Sequence, residues 1–68
     1  MKRLRKNQQV KQGQKILTDL YFDGSLTTVE CEVICDSGEL VSFYYFNQIF
    51  PEYGRQIKCL PKKSFYIL

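Results

Sequence analysis

The sequence predicts an all-β domain, or a mainly β domain with one short helical turn, in which five antiparallel strands form a small barrel. Three observations support this prediction. Runs rich in β-branched and aromatic residues recur at short intervals, turn-forming residues separate them, and residues 26–35 alternate between apolar and polar side chains. Short strands joined by tight turns are typical of a strongly curved antiparallel sheet.

The first two predicted strands form a hairpin. They span residues 15–22 and 26–35, and Asp23-Gly24 between them is a strong signal for a tight turn. We expect the second strand to be half-buried, because polar residues occupy its other face. The residues predicted to face the core are Ile16, Thr18, Leu20 and Phe22 in the first strand, and Val29, Cys31, Val33 and Cys35 in the second.

Three further strands follow a second tight turn at residues 36–39, where Gly38 is available for a positive φ. Pro51 cannot continue a strand, so we expect a short helical or 3₁₀ turn within residues 47–54. The predicted strands are residues 40–46, 55–60 and 64–68, and the residues expected to plug the end of the core are Ile49, Phe50 and Tyr53. The element count favours a barrel of the SH3-like or OB-like type, an analogy that does not fix a function.

Residues 1–14 are predicted to form a flexible basic arm outside a small β-barrel domain of residues 15–68. Leu4 and Val10 are the only apolar side chains after Met1, too few to define a packed face. Gly13 weakens any helix that would run into the domain. We therefore expect the packed structure to begin near Ile16.

Size and composition indicate one small, marginally stable cytoplasmic domain. The 68 residues include five Phe and five Tyr, which bury large areas and favour a folded chain. No stretch approaches the roughly 20 apolar residues that span a bilayer, and no apolar segment follows the charged N-terminus. We expect no membrane association, and we expect the three cysteines to be reduced thiols in the core.

Charge is sorted along the chain into three blocks, although the net charge is only +3. Residues 1–15 contain six cations and no carboxylate, residues 16–54 contain seven carboxylates and no cation, and residues 55–68 contain four cations. Such asymmetry indicates contact with a polyanion or an acidic partner.

The primary hypothesis is a non-enzymatic accessory protein that binds DNA or RNA. A basic arm and a basic C-terminal corner can hold phosphates in a sequence-independent, salt-sensitive way, and an exposed aromatic ring can stack on a base. Amide side chains between residues 7 and 14 add further hydrogen-bonding groups. The candidate residues are Lys2, Arg3, Arg5, Lys6, Lys11, Lys15, Tyr44, Arg55, Lys58, Lys62 and Lys63.

Catalysis, metal binding and cofactor binding are not expected. The chain has no histidine, the side chain best suited to proton transfer at neutral pH. Cys31, Cys35 and Cys59 lack the spacing and the fourth ligand of a structural zinc site. The glycines are isolated turn residues and form no phosphate-binding loop.

The alternative hypothesis is a small protein-binding module or inhibitor that docks on a larger protein. An acidic hairpin face or exposed aromatic side chains would form its contact surface, and the candidate residues are Glu30, Glu32, Asp36, Glu39, Tyr44 and Phe46. Homodimerisation fits either hypothesis, because the apolar strand at residues 64–68 is a potential exposed edge.

Overall fold

A computed structural model describes residues 2–68 and shows a mainly β fold with one antiparallel sheet of six strands. The sheet order is β1-β6-β2-β3-β4-β5, and the strands are β1 (Lys2–Arg3), β2 (Lys15–Phe22), β3 (Ser25–Asp36), β4 (Leu40–Phe46), β5 (Arg55–Pro61) and β6 (Phe65–Ile67). All five predicted strands are present, and β1 is additional. Two three-residue 3₁₀ turns, Pro51–Tyr53 and Lys62–Ser64, join the later strands. Nothing helical within residues 2–68 has the length and apolar character to cross a bilayer.

The β2–β3 hairpin confirms the Asp-Gly turn signal. Phe22 pairs with Ser25, so Asp23 and Gly24 are the two turn residues. Both have positive φ, 52° and 81° respectively. This is the conformation of a type I′ turn, whose twist matches that of the flanking strands.

A bulge in β3 changes which side chain faces the core. Val33 pairs with Phe43 but Cys35 pairs with Ser42, so Ile34 is an extra residue in β3. The alternation is shifted beyond it, and Asp36 lies opposite the fully buried Val41. The prediction that Cys35 faces the core is therefore wrong, and Cys35 is exposed.

The sheet curls around its core without closing. Phe43 of β4 and Phe65 of β6 are both fully buried, and their ring centroids lie 5.2 Å apart in an edge-to-face contact. Three strand spacings separate β4 from β6, which would amount to about 14 Å in a flat sheet. Curvature therefore brings the two strands together. No pairing between β1 and β5 is found in the described residues, so the sheet keeps two edges.

The N-terminal segment packs as part of this fold. Leu4 and Val10 belong to the core, with 2% and 7% of their surface exposed. The backbone N–H of Leu4 donates to the Phe65 carbonyl at 2.8 Å, and that of Gly13 donates to the Val33 carbonyl at 2.8 Å. In the structure, residues 2–14 are thus a docked segment, which differs from the flexible arm expected from the sequence.

Two regions near β5 also differ from expectation. Ile49, Phe50 and Tyr53 do not plug the core: they are 44%, 44% and 61% exposed. In β5, Lys58 lies opposite Phe43 and therefore on the core-facing side, at the exposed margin of the sheet. Cys59 is on the outer face, the side of the sheet away from the core, instead of in the core as predicted, and Ile57 is on the same face.

The C-terminal strand is not an exposed edge. β6 pairs with β1 on one side and with β2 on the other. The edge that the sequence placed at residues 64–68 belongs instead to β5, which pairs only with β4 among the described residues. Assembly through a free sheet edge would therefore not involve β6.

Candidate functional site

A cluster of cations, here called the basic corner, lies where β1 meets the end of the chain. Pairing of β1 with β6 brings the cations of the N-terminal segment beside the 3₁₀ turn that precedes β6. The guanidinium of Arg3 donates to the carbonyl of Lys63 at 3.1 Å, which joins the two segments directly. The basic corner consists of Lys2, Arg3, Arg5, Lys6 and Lys63, all of them exposed.

Two shallow depressions mark the surface of the basic corner. The first, of about 280 Å³, is lined by Lys2, Arg3, Arg5, Asn7, Gln8 and Ile67. The second, of about 390 Å³, is lined by Lys6, Gly38, Glu39, Pro61, Lys62 and Lys63. Cationic side chains and amides therefore surround the same end of the molecule, and within residues 2–68 no basic-corner side chain forms a salt bridge with a carboxylate.

Arg3 is held in place by a polar network on the outer face. Its guanidinium lies 5.2 Å from the ring centroid of Tyr66 and donates to the Tyr66 hydroxyl at 3.3 Å. The Tyr66 hydroxyl in turn donates to Asp19 Oδ2 at 3.0 Å, and Thr28 donates to the other oxygen of that carboxylate. The network crosses β1, β6, β2 and β3. The sequence analysis did not identify Tyr66 as a functional candidate. Alternation within residues 64–68 could have indicated it, because it puts Tyr66 on the outer face when Phe65 faces the core.

Lys62, a predicted phosphate ligand, is not on the surface. Its side chain is 4% exposed and its ammonium lies 2.8 Å from Asp36 Oδ2, while the Asp36 side chain is 7% exposed. Asp36 also accepts hydrogen bonds from the backbone N–H of Val10 at 3.1 Å and of Gly38 at 2.8 Å. Burial alone raises the pKa of Asp36, but the hydrogen bonds from Lys62, Gly38 and Val10 and the Lys62 charge outweigh it, so the pKa lies below its ordinary value. Both residues are structural and leave the predicted contact surfaces.

Lys15, Tyr44 and Arg55 lie together on the outer face, around Glu32. Lys15 forms a salt bridge with Glu32 at 2.9 Å, and Glu32 pairs across the sheet with Tyr44. The guanidinium of Arg55 lies 4.1 Å from the Tyr44 ring centroid. The hydrogen bond and charge of Lys15, with a smaller effect of Arg55, lower the pKa of Glu32. Glu30 lines the same depression, so two cations and two carboxylates leave this surface close to neutral in charge.

The remaining predicted phosphate ligands do not join the basic corner. Lys58 is on β5 and lines a different depression, together with Asp19 and Ser64. Lys11 is exposed in the segment before β2 and lines neither depression. Of the four predicted C-terminal cations, the structure brings only Lys63 to the N-terminal cluster.

The predicted acidic face is also divided. Asp36 is buried against Lys62, and Glu32 is paired with Lys15. Glu30 and Glu39 remain exposed, but Glu39 is in the β3–β4 turn and lines the second basic depression. No continuous acidic surface is formed by the four carboxylates.

Exposed apolar side chains lie close together in sequence at the end of β4 and in the turn that follows it. Phe50 and Tyr53 are stacked, with ring centroids 5.1 Å apart and an angle of 23° between the rings. Phe46, a predicted protein-binding residue, is 51% exposed nearby in sequence. We call Phe46, Ile49, Phe50 and Tyr53 the aromatic patch. Tyr44, which was predicted with Phe46 to bind a protein partner, is half-buried and covered by Arg55.

The cysteines have different environments. Cys31 is buried and donates its S–H to the Ile16 carbonyl at 3.3 Å, whereas Cys35 and Cys59 are exposed. Burial, with a contribution from the Glu30 charge that the Lys15 charge opposes, raises the pKa of Cys31 to about 12. Its thiol is protonated at neutral pH and is a poor nucleophile. Among residues 2–68, no three Cys, Asp or Glu side chains are grouped to hold a metal ion.

Comparison with family models, with curated proteins and with solved structures finds no match to this chain. Its function must therefore be argued from its own residues. Two surfaces carry that argument: the basic corner and the aromatic patch.

Proposed function

We propose that the protein is a non-enzymatic nucleic-acid-binding accessory protein that contacts phosphates through the basic corner. One observation carries the proposal: the fold collects Lys2, Arg3, Arg5, Lys6 and Lys63 at one end, and none of them is paired with a carboxylate within residues 2–68. Unpaired cations at this density attract a polyanion, because each phosphate contact releases condensed counterions.

Docking of the N-terminal segment supports this function energetically. A free arm loses backbone entropy when it binds, at a cost of about 1–2 kcal/mol for each residue that becomes fixed. Burial of Leu4 and the hydrogen bonds of Arg3 order part of the segment before any ligand arrives. Asn7 and Gln8, which line the first depression, supply amide groups that can bond to phosphate or sugar oxygens.

The proposed contact is confined to one edge of the molecule. Glu30, Glu32 and Asp19 lie on the outer face beyond β6 and would repel a phosphate backbone crossing the sheet. Tyr44 is half-buried beneath the Arg55 guanidinium and is left out of the proposed primary contact. The curled sheet is compatible with a small barrel of the SH3-like or OB-like type, and that fold type remains part of the proposal. A fold of either type does not fix a function.

The test is binding of labelled single- and double-stranded DNA and RNA across a range of salt concentrations. We expect binding at ~50 mM salt that weakens as salt rises, with a slope of about 0.7–0.9 for each phosphate contacted. Replacing Arg5 and Lys6 together by Gln should reduce the slope by about 1.5 and the affinity about tenfold. Fluorescence anisotropy measures both quantities.

A matched control is available at the opposite edge of the sheet. Replacing Arg55 and Lys58 by Gln removes the same two residue types and the same charge. We expect this variant to bind nearly as the unmodified protein does. Absence of binding to all four nucleic acids at ~50 mM salt would contradict the proposal, since phosphate contacts are strong there. Equal losses in both variants would show that net charge, not the basic corner, governs binding.

A second candidate function is docking on a larger protein through the aromatic patch. Stacked, exposed Phe50 and Tyr53 are the specific observation that favours it, because aromatic side chains are enriched among residues that dominate interface energies. Docking through the acidic hairpin face is less well supported, because Asp36 and Glu32 are each paired with a lysine.

Nuclease-treated pull-down from the native host separates the two candidates. Docking predicts one stoichiometric protein partner that is lost when Phe50 and Tyr53 are both replaced by Gln. The control variant replaces the exposed Leu26 and Leu40 by Gln and should retain the partner. Capture that survives the Phe50 and Tyr53 substitutions would exclude the aromatic patch as the docking surface.

A further inference from the structure

β5 presents a free edge whose hydrogen-bonding positions can be deduced from the ladder. The backbone N–H of Lys62 donates to the Glu39 carbonyl at 2.9 Å, in the same register that pairs Pro61 with Leu40. Residues in antiparallel strands alternate between exchanging hydrogen bonds with their neighbour and pointing them away. Gln56, Lys58 and Leu60 therefore bond to β4. Arg55, Ile57 and Cys59 direct their N–H and C=O groups outward.

This edge carries both protective and adhesive features. A charge on the core-facing side and a proline are common devices that prevent edge pairing, and β5 has Lys58 and Pro61 in those roles. Ile57, the third of the seven residues of the strand, is nevertheless 67% exposed on the outer face. Lys58 and Pro61 limit the registers in which this edge can pair, and Ile57 supplies an exposed apolar side chain for one that avoids them.

We propose that β5 pairs antiparallel with β5 of a second copy of this chain, with the two-fold axis at Ile57. In that register Ile57 lies opposite Ile57 of the partner subunit on the outer face. Arg55 lies opposite Cys59 of the partner subunit, and Gln56 lies opposite Lys58 of the partner subunit on the other face. The three outward-directed residues of each strand then form about six backbone hydrogen bonds.

Neighbouring registers are less favourable. A two-fold axis at Lys58 places two like charges directly opposite each other, where side chains approach most closely. An axis at Cys59 places Pro61 opposite Ile57 of the partner subunit, and proline has no N–H to donate. The register centred on Ile57 avoids both penalties, and this self-complementarity favours a second copy over an unrelated extended peptide.

The proposed dimer is independent of the proposed function. It joins two six-stranded sheets into one continuous sheet, because β5 is the terminal strand of each. The basic corner contains no residue of β5, although Lys63 follows the end of that strand by two residues. The β5–β5 backbone pairing therefore uses none of the basic-corner residues.

Sedimentation equilibrium of the full chain over a wide concentration range tests the proposal. We expect a monomer–dimer equilibrium for the unmodified protein. Ile57→Lys places like charges at the two-fold axis and should raise the dimer dissociation constant by roughly tenfold or more. Leu26→Lys adds the same charge to an exposed apolar position on β3 and should leave the equilibrium unchanged.

We expect both variants to remain folded because both positions are exposed, and thermal unfolding of each variant checks this. A monomer at every concentration would overturn the proposal. Equal weakening by both substitutions would also overturn it, because a general charge effect would then explain the result. Selective loss in Ile57→Lys supports β5 pairing, whether or not any nucleic acid binds.

Discussion

At the scale of single residues, Asp36 decides how three segments of this chain are joined. The β3 bulge at Ile34 moves Asp36 to the core-facing side, opposite Val41. There its carboxylate accepts hydrogen bonds from Lys62, Val10 and Gly38. One carboxylate thereby ties together the N-terminal segment, the β3–β4 turn and the turn before β6. A buried carboxylate is tolerated here because both of its oxygens accept hydrogen bonds, Oδ2 from Lys62 and Val10 and Oδ1 from Gly38.

Asp36→Asn should destabilise the protein by about 3 kcal/mol, because it leaves the Lys62 ammonium buried without a counter-charge. Urea unfolding monitored by fluorescence measures the change. Glu39→Gln removes an exposed carboxylate from the same turn and should leave stability nearly unchanged. Adding Lys62→Met to Asp36→Asn should recover much of the loss, since no unpaired charge remains. If the double variant is no more stable than Asp36→Asn, the ion pair is not the cause.

The lowered pKa of Asp36 gives the same pair a pH signature. A carboxyl group whose pKa is lower in the folded protein stabilises the fold above its ordinary pKa, which is 3.8 for this group. That contribution disappears as the pH falls below this value and through the lower pKa of the folded state. Asp36→Asn should therefore flatten the acid limb of the stability profile below about pH 4. If the acid limb of the variant is as steep as that of the unmodified protein, the loss of stability at low pH comes from other carboxylates.

At the scale of elements, the N-terminal segment is the least expected part of the fold. Its apolar side chains are too few to predict a packed face, yet Leu4 and Val10 are both in the core. They reach it because β1 pairs with β6, and because the Val10 N–H bonds to Asp36. Neither contact has a local signal, since both join residues far apart in sequence. The segment packs across one end of the curled sheet.

Leu4→Ala tests whether packing of the N-terminal segment contributes to stability. A buried leucine truncated to alanine loses transfer free energy and leaves a cavity, so we expect a loss of about 2–3 kcal/mol. Arg5→Ala, at the adjacent exposed position, should have little effect. Chemical denaturation of both variants makes the comparison. Equal stabilities would mean that residues 2–14 are not docked in solution.

At the scale of the whole molecule, curvature determines which charges meet. The three charge blocks of the sequence do not become three surfaces. β1 joins β6, so the first block meets Lys63 of the third, while β5 carries Arg55 and Lys58 to the opposite edge. The acidic block is divided further, because Asp36 is neutralised in the interior and Glu32 on the outer face. The basic corner contains no residue of β5, so the proposed nucleic-acid contact and the proposed self-association use different residues.

Much of the local structure was predictable from the sequence, for a clear physical reason. Turn conformation and alternation are local properties, so the Asp23-Gly24 hairpin, the positive φ of Gly38 and the 3₁₀ turn at Pro51 all follow from neighbouring residues. The strands at residues 15–22 and 40–46 also match their predicted bounds. The high cation content of the N-terminal segment, and hence a candidate phosphate-binding surface, was likewise readable from the sequence alone.

Only the tertiary structure decided which of those residues act together. A bulge of one residue reversed the facing of Cys35 and Asp36, and it removed Asp36 and Lys62 from the candidate surfaces by burying them as a pair. Strand order, set by pairings between the two ends of the chain, covered β6 and exposed β5. Such pairings depend on how side chains distant in sequence fill a common core. The sequence by itself determined the strands, the turns and the stock of charges, and tertiary packing determined which charges are free and where they meet.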